Sequence, residues 1–324
     1  PKRQNPKALA LFLAAFLKLS QKDQFKCGNN ISMMVESIKA LRSPDMPYWC
    51  WGYSFPWQGR SVLTPQGEPN LICTVFVANA LLDAYEKAGH GEYLTMATSA
   101  AEYVLNELYW EDHKNAGFSY PLPSLRVQVH NANFLGAALL CRIYQQTGYT
   151  KFLEPALKAS RHSAFMQHDD GSWDYGEDQT QEWVDNFHTG YNLGALRTIC
   201  HCLNTDEFEP HIRRGFKFYR NNFFRKDGAP KYFHNKVYPI DIHSVAQSII
   251  TLLEFKELDS GNIDLIHRIV EWVIAHMWDE RGYFYYQVTP YFKNKIPYMR
   301  WSQAWMLLAL ATLLTQDKIE LRLI

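Results

Sequence analysis

The sequence carries no surplus of either charge: 33 Lys and Arg stand against 33 Asp and Glu, a formal net charge of +0. Proteins that coat a polyanion need a basic face, so nucleic acid is not an expected partner. No C-x-x-C pair and no H-x-x-x-H spacing occurs. These spacings build zinc sites, so neither a metal nor another cofactor is expected. The apolar run at 8–19 stops well short of the roughly 20 residues that cross a bilayer, so no membrane span is expected either.

What the chain has instead is rings, with 10 Trp, 19 Tyr and 19 Phe in 324 residues. That is more than a core needs, and surplus Trp and Tyr suit a cleft where a flat apolar face and a polar tip are both useful. The six cysteines mostly sit in apolar helical runs. Even Cys200 and Cys202, two apart, point in widely separated directions on a helix. They read as reduced packing residues, and the chain as cytoplasmic. The opening stretch, basic and then apolar, has the outline of a secretory signal but lacks a small-x-small cleavage site. The rival reading is a helix buried on all sides.

A repeat favours the helix. The linker "HDDGSWDY" at 168–175 resembles "EDHKNAGFSY" at 111–120, "RKDGAPKYF" at 225–233, "DERGYFYY" at 279–286 and, loosely, "CWGYSFPW" at 50–57. Their glycines, Gly52, Gly117, Gly171, Gly228 and Gly282, are 65, 54, 57 and 54 residues apart, which is a structural period. Each of the five glycines is followed by one helix apolar on nearly every face (73–89, 131–148, 187–203, 242–255, 302–314) and, in the first four cases, by an amphipathic one (93–109, 152–166, 211–224, 264–278). The first kind is expected inside and the second at the surface. Short turns make the two antiparallel. With residues 8–19 the inner helices number six. The expected fold is all-α: a single domain, 1–324, forming a closed α/α toroid of about six hairpins. An open solenoid would need polar end caps, and both ends here are apolar.

In such a ring the inner helices begin at one mouth, where unpaired N–H groups favour an anionic group. The junctions entering that mouth combine rings with polar groups, a mixture suited to sugars, whose C–H faces stack on rings and whose hydroxyls need hydrogen bonds. His130, His188 and His243 each open an inner helix, and histidine moves protons near neutrality. His188, His243, Tyr175 and Tyr238 are the candidate acid and base groups. Arg300, Asn131, Asn186, His130, Asp241, Trp173, Arg60, Trp57 and Trp301 are the candidate substrate contacts. For Asp185, Asn186 and Asp241 a helix N-cap is an equal alternative.

"RWSQAWMLLAL" (300–310), "HNANFLGAALLCRIYQQTG" (130–148) and "WVDNFHTGYNLGAL" (183–196) resemble inner-helix segments of α/α-toroid carbohydrate-active enzymes, closest in look to glucuronyl 5-epimerase barrels and related polysaccharide-biosynthesis proteins. The β-rich material that precedes those epimerase barrels has no counterpart here. "FMQHDDGSW" (165–173) is also similar to the Gln-x-x-x-Gly-x-Trp repeat of triterpene cyclases, but the acid motifs of those enzymes, Asp-x-Asp-Asp and Asp-Asp-x-x-Asp, are absent. The resemblance implies an enzyme of polysaccharide metabolism or biosynthesis. It would act on an oligosaccharide or polysaccharide containing uronic acid, removing the proton beside the carboxylate, as an epimerase or a lyase. Two alternatives stay open. One is a hydrolase using two of Asp174, Glu177, Glu182, Asp185 and Asp241, where an inverting pair would stand roughly 6.5–9.5 Å apart. The other is a glycan- or partner-binding toroid without catalysis. A homo-oligomer, or an assembly with other polysaccharide-biosynthesis proteins, is equally open.

Overall fold

The computed structural model describes residues 3–59 and 62–316. Pro6 opens α1 (Pro6–Leu19), Asn5 caps it by accepting the Ala8 N–H, and Ala8, Leu11, Leu13 and Ala15 are all buried. The signal-like stretch is thus the first inner helix. The other inner helices are α3 (Leu71–Ala88), α5 (His130–Thr147), α7 (Asn186–Leu203), α9 (Ile242–Glu254) and α11 (Ala304–Leu314). Four of the outer helices match the expected amphipathic segments: α4 (Gly91–Tyr103), α6 (Leu153–Phe165), α8 (Glu209–Asn222) and α10 (Asn262–Met277). The inner helices pack in the order α1, α3, α5, α7, α9, α11, and α11 packs back on α1. Each of the first five also packs on the outer helix that follows it.

Three details differ from the sequence pattern. An outer helix, α2 (Gly28–Ala40), was not expected, because only Val35 and Ile38 of it are buried and the apolar stripe is too thin to read. Two of the expected helices also change pitch. Residues Val104–Leu108 and Met299–Gln303 are π-helical, so α4 ends early and α11 begins late. Finally, the repeated glycine is three equivalent positions, not five. Gly171, Gly228 and Gly282 all take φ between 90° and 95°, in turns where an aspartate side chain (Asp170, Asp227, Asp279) accepts a backbone N–H two residues on. Only glycine adopts that backbone without strain. Gly117 instead lies in the strand Ala116–Phe118, paired with Tyr109–Glu111, and Gly52 bridges Pro69.

Polar staples tie inner to outer helices. Asn133 on α5 accepts the Phe118 N–H and donates to Gln128 and to Ser163 on α6, at 2.9, 2.6 and 2.9 Å. Asn186 on α7 donates to Ser248 on α9 and accepts from Tyr219 on α8, at 3.2 and 2.9 Å. A satisfied buried bond contributes about 1 kcal/mol, and an orphaned partner costs about 1–3 kcal/mol, so these staples fix helix direction more than they add stability. The six cysteines are free, four buried and two half-buried. Among the described residues no helix is long and apolar enough to cross a membrane.

Candidate functional site

Side chains from the first two turns of five inner helices pack together: Lys7 of α1, Phe76 of α3, Phe187 and Tyr191 of α7, His243 of α9 and Trp305 of α11. The N-caps decide how. Asp185 caps α7 and Asp241 caps α9, each accepting the N–H of a histidine, His188 at 3.0 Å and His243 at 2.8 Å. The helix ends expected to hold an anion are therefore partly occupied by carboxylates of the chain itself. The three histidines are also not equivalent. His130, His243 and His188 stand one, two and three residues after their N-caps, and each step turns a side chain about 100°.

His188 is the one left accessible. Its Nδ1 lies 2.6 Å from Asp185 Oδ2, and the side chain keeps 22% of its surface exposed. A carboxylate only accepts, so Nδ1 carries a proton, and in the neutral imidazole it is Nε2 that presents the lone pair. Asp185 is buried and also accepts Trp183 Nε1–H at 3.1 Å, which holds the carboxylate in place. Tyr175 stacks on Trp183 with centroids 4.5 Å apart, and its ring is 4.7 Å from that of His188. This geometry fixes one tautomer and aims a base outward.

His243 is different in kind. Its ring is sandwiched between Phe187 and Trp305 at 4.3 and 4.4 Å, with the edge of Trp301 at 4.6 Å. It shares a 2.6 Å hydrogen bond with the Tyr191 hydroxyl through Nε2, while Nδ1 has no partner among the described residues. Burial, reinforced by Lys7, His188 and Arg300, holds the imidazole well below its ordinary pKa, so it is neutral. Trp305 Nε1 is likewise buried without a partner among them. Two orphaned polar atoms in one stack mark a place where a bound polar group would be satisfied.

Lys7, in the first turn of α1, joins the same group. Its ammonium lies 4.0, 5.6 and 6.0 Å from the Phe76, Trp305 and Tyr191 ring centroids. It is 4% exposed and forms no ion pair among the described residues. Burial, with Arg300 nearby, pulls its pKa down to about 7. Arg300, in the π-helical turn, sits 5.1, 5.5 and 5.4 Å from the Tyr53, Phe55 and Trp301 rings, again without a carboxylate partner among the described residues. Trp301 Nε1–H donates to Asp241 at 2.8 Å. Burial pushes the Asp241 carboxyl up to about 7, against bonds from the His243 N–H, Trp301 and Gln287. Trp57 packs edge-on to Tyr53 and 6.1 Å from Tyr120, extending the aromatic wall.

The structure thus brings together His188, His243, Tyr175, Arg300, Asp241, Trp301 and Trp57, the last through Tyr53. Asn131 is buried in the first turn of α5 with its Oδ1 lacking a partner among the described residues. Three candidates turn away from the axis. His130 is bound to Ser163 of α6 at 3.2 Å, and burial lowers its pKa to about 4. Asn186 is a staple between α7, α8 and α9. Trp173 is wedged behind the ring, donating to the Ser163 carbonyl at 3.0 Å and filling the space Gly215 leaves. Tyr238 is half-buried in the loop before Ile240–Asp241, apart from the stacked rings. Arg60 lies outside the described residues. The cyclase-like glutamine is a tie: Gln167 donates to the Gly171 and His211 carbonyls, both at 3.0 Å. Sequence reading missed Lys7 altogether, because a basic residue ahead of an apolar run looks like a flank.

The sequence matches no protein-family model and no curated protein. Solved structures do match. A sugar epimerase from a ruminal bacterium superposes with a TM-score of 0.69 at 13% identity, over 95% of this chain and 87% of that one. A GH76 α-mannanase from Bacteroides thetaiotaomicron gives 0.72 at 14%, over 95% and 86%. A D-mannose isomerase gives 0.71 at 13%, over 97% and 88%. The fold is that of α/α-toroid carbohydrate-active enzymes, and at such identities the likeness is one of fold.

Proposed function

We propose that this chain is a carbohydrate-active enzyme that removes a proton from a uronic-acid residue at the carbon bearing the carboxylate, with epimerisation or elimination as the outcome. The observation that carries this reading is the Asp185–His188 pair, which leaves Nε2 as a lone-pair base at the mouth. Arg300 is the carboxylate clamp. It stabilises the negative charge that builds on the carboxylate oxygens as the carbon loses its proton. Lys7 and Arg300, each beside rings and without an ion-pair partner among the described residues, are near enough for Arg300 to lower the Lys7 pKa, and two such basic groups suit an anionic sugar better than a neutral one. Trp57, Trp301 and Tyr53 supply the faces on which its C–H surfaces stack.

Hydrolysis by a carboxylate pair is the weaker reading. Asp185 and Asp241 are buried and used as caps, Glu177 is engaged by His162 at 2.6 Å, and Asp174 by His168 at 3.0 Å. The full proposal is of one domain that works in the cytoplasm, in polysaccharide metabolism or biosynthesis, on an oligosaccharide or polysaccharide. Product analysis of uronic-acid oligosaccharides by proton NMR and mass spectrometry tests the reaction. A changed configuration at constant mass is expected of an epimerase, and an unsaturated terminal sugar of a lyase. New saturated reducing ends with no other change would contradict the proposal and favour a hydrolase.

A further inference from the structure

Inversion at a carbon needs two proton-transfer groups, one on each face, and His188 supplies only one. His243, the obvious second histidine, is a poor choice: it is buried in a stack, with one nitrogen held by Tyr191. Lys7 is better placed. In the ring order, α1 and α7 are three helices apart in either direction, so they stand opposite each other. Lys7 is the second residue of α1 and His188 the third of α7, so both lie at the same end of the ring. Tyr191 is their shared neighbour, its centroid 6.0 Å from the Lys7 ammonium and 6.0 Å from the His188 ring.

We propose that Lys7 is the second catalytic residue of this site, delivering a proton to the face of the sugar opposite the one His188 deprotonates. The inference rests on the proposed function. In the step, His188 Nε2 takes the hydrogen from the carbon beside the carboxylate, and the C–H electron pair moves into the carboxylate beside Arg300. The ammonium of Lys7 then gives one proton to the same carbon from the other side. The pair of electrons returns to form the new C–H bond, leaving a neutral amine and an imidazolium that water resets. The reverse direction uses the same groups with roles exchanged.

Several features fit an amine that must both hold and release a proton. The charged and titratable groups around it are Arg300, Cys73, His243 and Tyr191, and Arg300 and burial both favour release. Rings surround the ammonium, and no carboxylate among the described residues locks it in the charged form. A lysine used only to hold a helix in place would gain more from an acidic partner, since an unpaired buried ammonium is costly.

The test uses the full chain labelled with ¹³C-lysine and ¹⁵N-histidine, titrated with pH and with sodium glucuronate as the probe. Lys7, assigned by loss of its signal in Lys7→Arg, is expected to titrate near 7 where an ordinary lysine titrates at 10.5, and glucuronate is expected to shift both Lys7 and His188. A Lys7 signal that titrates with the surface lysines overturns the inference. So does one that ignores glucuronate while His188 responds, which leaves the proposed function standing. If neither residue responds, the site reading fails and the inference falls with it. In Lys7→Arg, which keeps the cation but not a proton released near neutrality, inversion of uronic-acid oligosaccharides is expected to fall about 100-fold. Exchange of the substrate hydrogen with heavy water, through His188 alone, is expected to persist with retained configuration. Undiminished inversion, or equal loss of both processes, overturns the assignment.

Discussion

Replacing Asp185 by Asn exchanges a charged, purely accepting group for a neutral one that also donates. Asp185 accepts from the His188 backbone N–H at 3.0 Å, from His188 Nδ1 at 2.6 Å and from Trp183 Nε1 at 3.1 Å. The amide oxygen still caps α7, since Asn caps as well as Asp. The new NH2 then faces two donors. His188 relieves its share by moving its proton to Nε2, which turns the aimed base into a donor. Trp183 cannot do the same, and a buried donor losing its acceptor costs about 1–3 kcal/mol. Turning the amide over only transfers the clash to the cap. The expected outcome is a folded protein destabilised by that amount in urea, with the opposite His188 tautomer in ¹⁵N spectra. Turnover should fall by about 10⁴, the loss that the same exchange causes in a serine-protease triad. An unchanged tautomer, or turnover within a few-fold of the parent, would refute the argument that Asp185 sets the base.

Other substitutions probe the stack, the turns and the buried carboxyl. His188→Ala, at a partly exposed position, should change stability by less than about 1 kcal/mol, whereas His243→Ala empties the space between Phe187 and Trp305 and should cost about 2–4 kcal/mol; equal unfolding midpoints would contradict the two environments. Gly148→Ala meets open space at φ 71° and should cost about 1 kcal/mol of left-handed strain. Gly171→Ala puts a Cβ 2.3 Å from the Arg214 carbonyl oxygen, and should cost at least about 1 kcal/mol more. The Asp241 carboxyl is raised from 3.8 to about 7 by burial. Its neutral form therefore favours folding fully below pH ~4, and that contribution is lost as pH rises to about 7. Asp241→Asn does not titrate, so the parent's stability relative to this variant should decline across that window by a few kcal/mol. A flat difference would remove Asp241 from the pH response.

How far the sequence revealed these things depended on what each signal averages over. The ring was legible because many residues vote for it: the apolar helices recur at a steady spacing, and their bounds fall within about two residues of the expected ones. Helix α2 was not, since Val35 and Ile38 alone are too few to make a stripe. Site residues were harder because one step along a helix turns a side chain by about 100°. His130, His188 and His243 look alike as helix starts, yet their different offsets from the cap send one outward, one to the mouth and one into the stack. Asp185 and Asp241 were seen as caps or ligands, and their structural role joins the two: each caps a helix and also holds a group of the site. Lys7 was illegible because a lysine at the start of an apolar helix means a solvated flank far more often than a buried amine. Only the closure of α11 onto α1 makes that helix end interior.

The most direct test of the proposed chemistry is deuterium uptake by uronic-acid oligosaccharides in heavy water, read by proton NMR and mass spectrometry, with the parent protein and His188→Gln side by side. Deuterium is expected at the carbon bearing the carboxylate with the parent and none with the variant. Products formed without uptake, or equal uptake in both proteins, would contradict a proton abstraction by His188.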